Sequence, residues 1–400
     1  MSRIVVHYGQ DRVGTLVEAR GGTFFEYDAA FLGTGHDLSP LTLPLGPGLR
    51  RRKDGPPNSL PGLFEDSLPD QWGRRVMAGW FRKKGIPEHA VTSLMMLGYL
   101  GSRAMGALTY LPETDVEPAP ENVDLSAVYS AVEQMELDVP VDLTQLAELG
   151  TSAGGARPKA LIGLDGSGGP VVVAGTGLLP AGYEAWLVKF DTSPGGVAGP
   201  MEEAYARMAR VAGLDVPPTR LLPTAAGGRH RLNFAVRRFD RNGRERLHHH
   251  TLSGLAEIGP GDFDYSLFLR ITRRLTRNEE QVWKAYRRAV FNVLASNRDD
   301  HGKNQGFLYR AGQWTLSPAY DLTFASPRRM PERGMAVAGE RAAAGPAELA
   351  KLAAGEGLDR ARAQQIVDEV REAVSHWREH ADAAQLAALP AAEIEAVLRG

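Results

Sequence analysis

Residues 291–304 read FNVLASNRDDHGKN, and residues 316–322 read LSPAYDL. The first stretch joins the end of an amphipathic helix to a loop. Upstream, Asn278 is of a type that caps helices, with Gln281 three positions on. Trp283, Tyr286, Val290, Val293 and Leu294 then recur at the spacing of one buried helical face. Asn297-Arg298-Asp299-Asp300-His301-Gly302 is rich in capping and loop residues, so the helix is expected to end near Asn297. Residues 306–309 and 314–316 read as a short hairpin that turns at Ala311-Gly312. Asp299 and Asn304 therefore precede the hairpin, and Asp321 follows it.

Asp299 and Asn304 stand five residues apart. In the catalytic loop of protein kinases that spacing separates the Asp that takes the acceptor hydroxyl's proton from the Asn that holds Mg²⁺. Alone it is weak, since 22 Asp and 8 Asn give about 0.4 such pairs by chance. Context strengthens it. Asp321 supplies a second carboxylate 17 residues after Asn304, and one carboxylate plus one amide, with water and phosphate, suits Mg²⁺. Upstream, the Gly-rich turn at 150–155 has the composition to lay backbone N–H groups against phosphate. It matches neither the kinase Gly-rich loop nor the Walker A pattern. Lys189 ends a strand where kinases keep the lysine that pairs with the α- and β-phosphates, and Glu202, early in the next helix, is placed to orient it. The chain has only 8 lysines against 38 arginines, yet Lys159, Lys189 and Lys303 all fall in this constellation. A compact ammonium is retained where a planar guanidinium does not serve.

Simpler readings compete. Asp299-Asp300 can just end a helix, Lys189 can be a strand-end surface charge, and the Gly-rich turn can be an ordinary loop. Order and spacing together favour the phosphotransfer reading. His248-His249-His250 reads as a solvated turn and not as a metal site, because consecutive side chains on a strand point different ways. Arg50-Arg51-Arg52-Lys53 reads as a solvated loop.

The expected fold class is α+β. Residues 1–112 form an N-terminal α/β subdomain with strands near 4–8, 14–17, 23–27 and 106–111 and helical spacing from Leu63 to Lys83. PETDVEPAPEN, at 112–122, reads as a linker. Residues 123–261 carry strands around the Gly-rich turn and a helix over 201–212, like the N-lobe of a kinase. Residues 262–400 turn helical, like a C-lobe. Ile366, Val370, Val374 and Trp377 mark one apolar face there.

Composition excludes several classes. A formal net charge of −2 argues against a basic nucleic-acid coat. The absence of cysteine removes disulfides, thiolate metal sites and cysteine nucleophiles. No apolar run reaches the roughly 18 residues of a membrane helix. The N-terminus reads as a strand and lacks a signal-peptide core. A cytoplasmic protein is expected.

DRVGTL (11–16), LPLGPG (43–48), FEDSLPDQWGRR (64–75), GGARPKALI (154–162), WLVKF (186–190), RRFDR (237–241), FNVLASNRDDHGKN and LSPAYDL, in this order, resemble the HipA-type toxin kinases of bacterial type II toxin–antitoxin modules. The resemblance implies an ATP- and Mg²⁺-dependent Ser/Thr protein kinase with a two-lobed core. By family position Asp299 is the catalytic base, Asn304 and Asp321 are the Mg²⁺ ligands, and Lys189 contacts ATP phosphates. The backbone of Arg237-Arg238-Phe239 is the hinge facing adenine. Ser152, Ala153, Gly154, Gly155, Ala156, Lys159, Glu202, His301 and Lys303 complete the nucleotide-facing set. Ser152 stands where the family carries an autophosphorylated, self-inhibiting serine, and a phosphate there adds about −1.5 to −2 of charge. Where many members read RLHQED, this chain has Arg246-Leu247-His248-His249-His250-Thr251. The implied partners are a Ser/Thr-bearing protein substrate and a HipB-like helix-turn-helix antitoxin, with DNA reached only through the antitoxin and no membrane. Two rival readings are a catalytically silent subunit that only holds an antitoxin, and a metal-dependent phosphoesterase built on Asp299-Asp300-His301. The kinase reading requires Lys189, Asp299, Asn304 and Asp321 to surround one nucleotide triphosphate.

Overall fold

Alternation of apolar residues in the first hundred positions builds an antiparallel sheet. Ile4 and Val6, Val13 and Leu16, and Phe25 and Tyr27 are buried on strands Arg3–Tyr8, Asp11–Ala19 and Gly22–Tyr27. The sheet order is Gly22–Tyr27, Asp11–Ala19, Arg3–Tyr8, Leu108–Leu111, with each neighbour antiparallel. The protein is seen in a computed structural model that describes residues 3–56, 58–114, 122–137, 146, 149, 157–167, 171–226 and 228–399.

The described chain groups into two units. One comprises Met1–Thr192, Leu222–His250 and Gly254–Glu257, and the other comprises Ser193–Leu221, Thr251–Ser253 and Ile258–Gly400. In the first unit, helix Gln71–Lys83 buries Trp72, Val76, Met77 and Phe81. The single helix expected from Leu63 to Lys83 is two helices, Gly62–Glu65 and Gln71–Lys83. Pro69 lies in the break, and proline has no N–H to continue an α-helical ladder. A five-stranded sheet follows, ordered Val172–Ala174, Lys159–Asp165, Tyr183–Lys189, Arg229–Arg237, Thr219–Ala226. Trp72 Nε1 donates to the Lys159 carbonyl at 3.3 Å, tying helix Gln71–Lys83 to this sheet.

Buried charge also joins the N-terminal part to this sheet. Asp240 is buried and accepts from Arg238 Nε at 2.9 Å, Arg238 Nη2 at 2.8 Å, Arg241 Nη1 at 2.8 Å and the Gly106 N–H at 2.7 Å. Burial pushes its carboxyl up, but Arg238 and Arg241 outweigh that and hold it far below the usual range. Arg246 donates to the carbonyls of Ser102, Ala104, Gly106 and Leu108.

The histidine triplet is not a solvated turn. His248–Thr251 is a strand, and His248 and His250 are buried. His248 Nε2 meets the Leu38 carbonyl at 2.9 Å. His250 bridges Asp66 Oδ2 at 2.5 Å through Nδ1 and Ser39 Oγ at 3.0 Å through Nε2. This is the connectivity of a hydrolase triad, but Ser39 is fully buried, so no substrate reaches it and the bridge is structural. Alternate strand residues point to one face, and the packing of the first unit covers that face.

The second unit is mainly helical. Helix Glu279–Leu294 packs on Tyr265–Thr276, Arg360–Ser375 and Pro346–Gly355, and Ala198–Val211 packs on Arg360–Ser375 and Trp377–Ala383. Ile366, Val370, Val374 and Trp377 are buried. The hairpin pairs Gly306–Arg310 with Gln313–Leu316, and Ala311 and Gly312 turn it with φ of 49° and 81°, the left-handed pair that a two-residue hairpin loop requires.

Candidate active site

Helix Glu279–Leu294 delivers the first loop. The Asn278 side chain accepts the Glu280 N–H at 2.9 Å and starts the helix. At the other end Ser296 adopts φ 49°, and the Asn297 N–H closes back on the Asn292 carbonyl at 3.0 Å. This left-handed closure ends the helix within three residues of the expected Asn297.

The loop then closes on itself. Asn304 is buried, its Nδ2 donates to the Asp299 carbonyl at 2.7 Å, and its N–H donates to the His301 carbonyl at 2.8 Å. The Asn304 amide nitrogen is thereby committed to that carbonyl. The Asp299 side chain is 45% exposed and its Oδ1 lies 3.6 Å from His301 Nε2.

The far end of the hairpin returns to the same loop. The Tyr320 hydroxyl donates to the Lys303 carbonyl at 2.7 Å, so the residue before Asp321 is tied to the residue before Asn304. Asp321 itself has φ 57°, a conformation sparsely populated by residues with a Cβ and one that clusters at functional sites. Buried Arg288 donates to the Ser317 carbonyl at 2.5 Å and to Gln305 Oε1 at 3.4 Å, pinning both ends of the hairpin. Burial lowers its guanidinium to about 10, which leaves it charged at neutral pH. Asn304 and Asp321 carry an amide oxygen and a carboxylate, hard-oxygen donors of the kind that suits Mg²⁺. Among the described residues no group of three or more His, Cys, Asp or Glu is arranged to hold a metal ion.

In the first unit, Lys159 and Lys189 are direct partners on antiparallel strands and both are buried. Directly opposed residues project to the same face, so the two lysines share one side of the sheet. Lys189 Nζ also lies 5.7 Å from the Phe234 ring centroid, across the next strand. Arg237 pairs with Glu184 at 2.8 Å, the Arg238 N–H donates to the Ala185 carbonyl at 2.8 Å, and Phe239 packs edge-on to His249 at 5.2 Å. Glu202 is buried on helix Ala198–Val211, which groups with the second unit. Ser152, Ala153, Gly154, Gly155 and Ala156, with the rest of the Gly-rich turn, lie outside the described residues.

Asp300 carries a role that the sequence reading did not assign. Read as part of a helix end and as a member of the rival phosphoesterase set, it is fully buried, and burial raises its carboxyl above the usual range against the pull of Arg333. Its partners, Tyr265 and Arg333, are far from it in sequence. The one available signal was the pair of adjacent carboxylates.

Comparison with known proteins places these features in a family. Residues 4–111 match the HipA N-terminal domain, and residues 151–377 match the HipA-like C-terminal domain. Two relatives from Sinorhizobium fredii, named "Putative kinase Y4dM" and "Putative kinase Y4mE", are each 28% identical over 93% of this chain and 89% of their own length. The fold matches that of a chain in the Shewanella oneidensis toxin–antitoxin complex of HipA, HipB and operator DNA, with a TM-score of 0.69 at 18% identity, covering 99% of this chain and 94% of that one. With more than half its length matched to the C-terminal domain and most of the remainder to the N-terminal one, the chain belongs to the HipA-like family.

Proposed function

We propose that this chain is an ATP- and Mg²⁺-dependent protein kinase that phosphorylates serine or threonine, and that it acts in the cytoplasm as the toxin of a two-component module. The observation that carries the reading is the closed 299–304 loop, in which the Asn304 amide clasps the Asp299 carbonyl at 2.7 Å and leaves the Asp299 carboxylate turned partly to solvent. A carboxylate so held is fit to orient an acceptor hydroxyl and take its proton. Asn304 Oδ1 and Asp321 would hold Mg²⁺, which supplies neutralisation of phosphate charge when bound. Lys189 and Lys159 would face the phosphates, and His301 and Lys303 would flank the acceptor loop. The backbone of Arg237-Arg238-Phe239 would meet adenine. Positioning and charge stabilisation are then the whole of the catalysis. The partner would be a HipB-like DNA-binding protein, in keeping with the complex in which the structural relative was solved.

The test is transfer of label from γ-labelled ATP by the full chain. Wild type transfers label to itself or to an added protein, while Asp299→Asn loses transfer by about 1,000-fold or more. Its melting stays within about a degree, because a half-exposed carboxylate contributes little to folding. Full activity in that variant refutes the assignment. An inert wild type that still captures a DNA-binding partner would make the chain a binding subunit.

A further inference from the structure

Asp299 and Asp300 are adjacent in sequence and opposite in setting. Asp300 Oδ2 accepts from the Tyr265 hydroxyl at 2.8 Å and from Arg333 Nη1 at 2.9 Å, and Oδ1 accepts from the Met335 N–H at 3.2 Å. The network continues inward. Asn292 Nδ2 donates to the Tyr265 oxygen at 2.8 Å, and Asn297 Nδ2 donates to Asn292 Oδ1 at 2.9 Å. Tyr265, Asn292, Asn297, Asp300 and Arg333 are all buried. Asp300 therefore fixes the backbone next to Asp299 to two helices and to the 333–335 segment at once.

That segment is drawn to the loop from other directions too. Arg298 donates to the carbonyls of Pro331 at 2.6 Å, Ala342 at 2.8 Å and Met330 at 3.4 Å, and its own carbonyl accepts the Gly334 N–H at 2.8 Å. Arg341 donates to the carbonyls of Gly334 at 3.0 Å, Arg333 at 3.2 Å and Phe263 at 3.2 Å. Met335–Ala336 pairs in parallel with Phe263–Asp264. A Cβ on Gly334 would stand 2.5 Å from the His301 backbone nitrogen, so only glycine permits this approach. In protein kinases the segment after the metal-binding Asp is commonly ordered by an added phosphate that pairs with arginine. Here Arg298 is engaged by carbonyls, and residues 327–345 contain no Ser, Thr or Tyr.

We propose that Asp300 is the positioning residue for Asp299, and that the Asp300–Arg333 pair, with Arg298, keeps segment 329–342 docked on the 299–304 loop without phosphorylation of that segment. The rate part of this inference rests on the kinase reading above. The docking part does not.

The experiment uses the full chain with Asp300→Asn, Arg333→Met, the double variant and Tyr265→Phe, which keeps the ring and deletes the hydroxyl that donates to Asp300 and accepts from Asn292. Two readouts are taken. Amide hydrogen exchange of residues 333–336 rises about 10-fold or more in Asp300→Asn and Arg333→Met, and less in Tyr265→Phe, while helix Arg360–Ser375 keeps its protection. In the transfer assay kcat falls about 10-fold or more with KM for ATP within about twofold. The double variant removes both buried charges together, so its melting recovers relative to the single variants, whereas its kcat stays low. Recovery of kcat in step with melting overturns the positioning role, as does an unchanged kcat in the single variants. Unchanged exchange at 333–336 overturns the docking. If Asp300→Asn or Arg333→Met does not fold, Tyr265→Phe decides both points. A wild-type chain that transfers no phosphoryl group refutes the kinase reading and with it the rate part, and leaves exchange to decide the docking.

Discussion

Lys159 and Lys189 stand directly across from each other on adjacent antiparallel strands, and both side chains are buried. On the proposed reading both ammoniums serve the phosphates of the nucleotide. Replacing Lys189 by Met removes one ammonium and keeps the packed stem. The expected result is a loss in kcat/KM for ATP of about 100-fold, and a smaller loss for Lys159→Met. Calorimetric binding of a non-hydrolysable ATP analogue reads the same weakening without turnover. Unaltered affinity in Lys189→Met would remove this lysine from the nucleotide site.

On the proposed reading Asn304 has two duties, the clasp on the Asp299 carbonyl and a cation ligand, which separate by substitution. Asn304→Asp keeps an oxygen for a cation and loses the Nδ2 donor to the Asp299 carbonyl. A net hydrogen bond of this kind contributes about 1 kcal/mol. The variant should melt a few degrees lower and need more Mg²⁺ to reach its maximal rate. Asn304→Ala should lose transfer altogether. A Mg²⁺ titration of both variants checks the order, and equal activities would show that the amide oxygen has no cation duty.

His248 makes stability fall in acid. Burial, followed by the neighbouring His250, depresses its imidazole to about 3 from an ordinary 6.5. The folded protein keeps it neutral, and the unfolded chain takes up a proton below pH 6.5. The stabilising contribution is thus complete above that pH and is lost as pH drops toward about 3, amounting to a few kcal/mol at the acid end. His248→Gln, which cannot titrate, should flatten the dependence of melting temperature on pH between about 7 and 5. An identical slope in variant and wild type would place the proton uptake elsewhere.

Ser152 is tested by mass. Incubation of the full chain with ATP and Mg²⁺ should add one phosphate within residues 150–155, and Ser152→Ala should abolish the gain. Persistence of the gain in that variant would shift the modification to Thr151.

The strands and helices that follow strict periodicity were legible. Asn278 caps its helix, the buried faces at 283–294 and 366–377 fall where spacing puts them, and the hairpin turns at Ala311-Gly312. Local rules reach that far because each element's pattern lies within its own residues. The break at Pro69 was visible in the sequence and was overridden by a run of apolar residues on both sides. The histidines at 248–250 were misread because their partners, Leu38, Ser39 and Asp66, are about 180 to 210 residues away in sequence, and no local pattern announces a polar strand that the fold buries. The buried network of Asp300 was illegible for the same reason, since Arg333 and Tyr265 become its neighbours only on folding. Asp299, Asn304 and Asp321 stood out because their spacing reflects a loop, a hairpin and a loop, a geometry carried by nearby residues.

The carboxylate of Asp240 and the guanidinium of Arg246 both reach into residues 102–108. A gene shortened to begin at codon 112 would therefore not encode a free-standing remainder. Its product would carry an arginine stripped of four carbonyl acceptors and a triple-charge node open to water. Supplying the missing piece as a separate polypeptide should restore solubility.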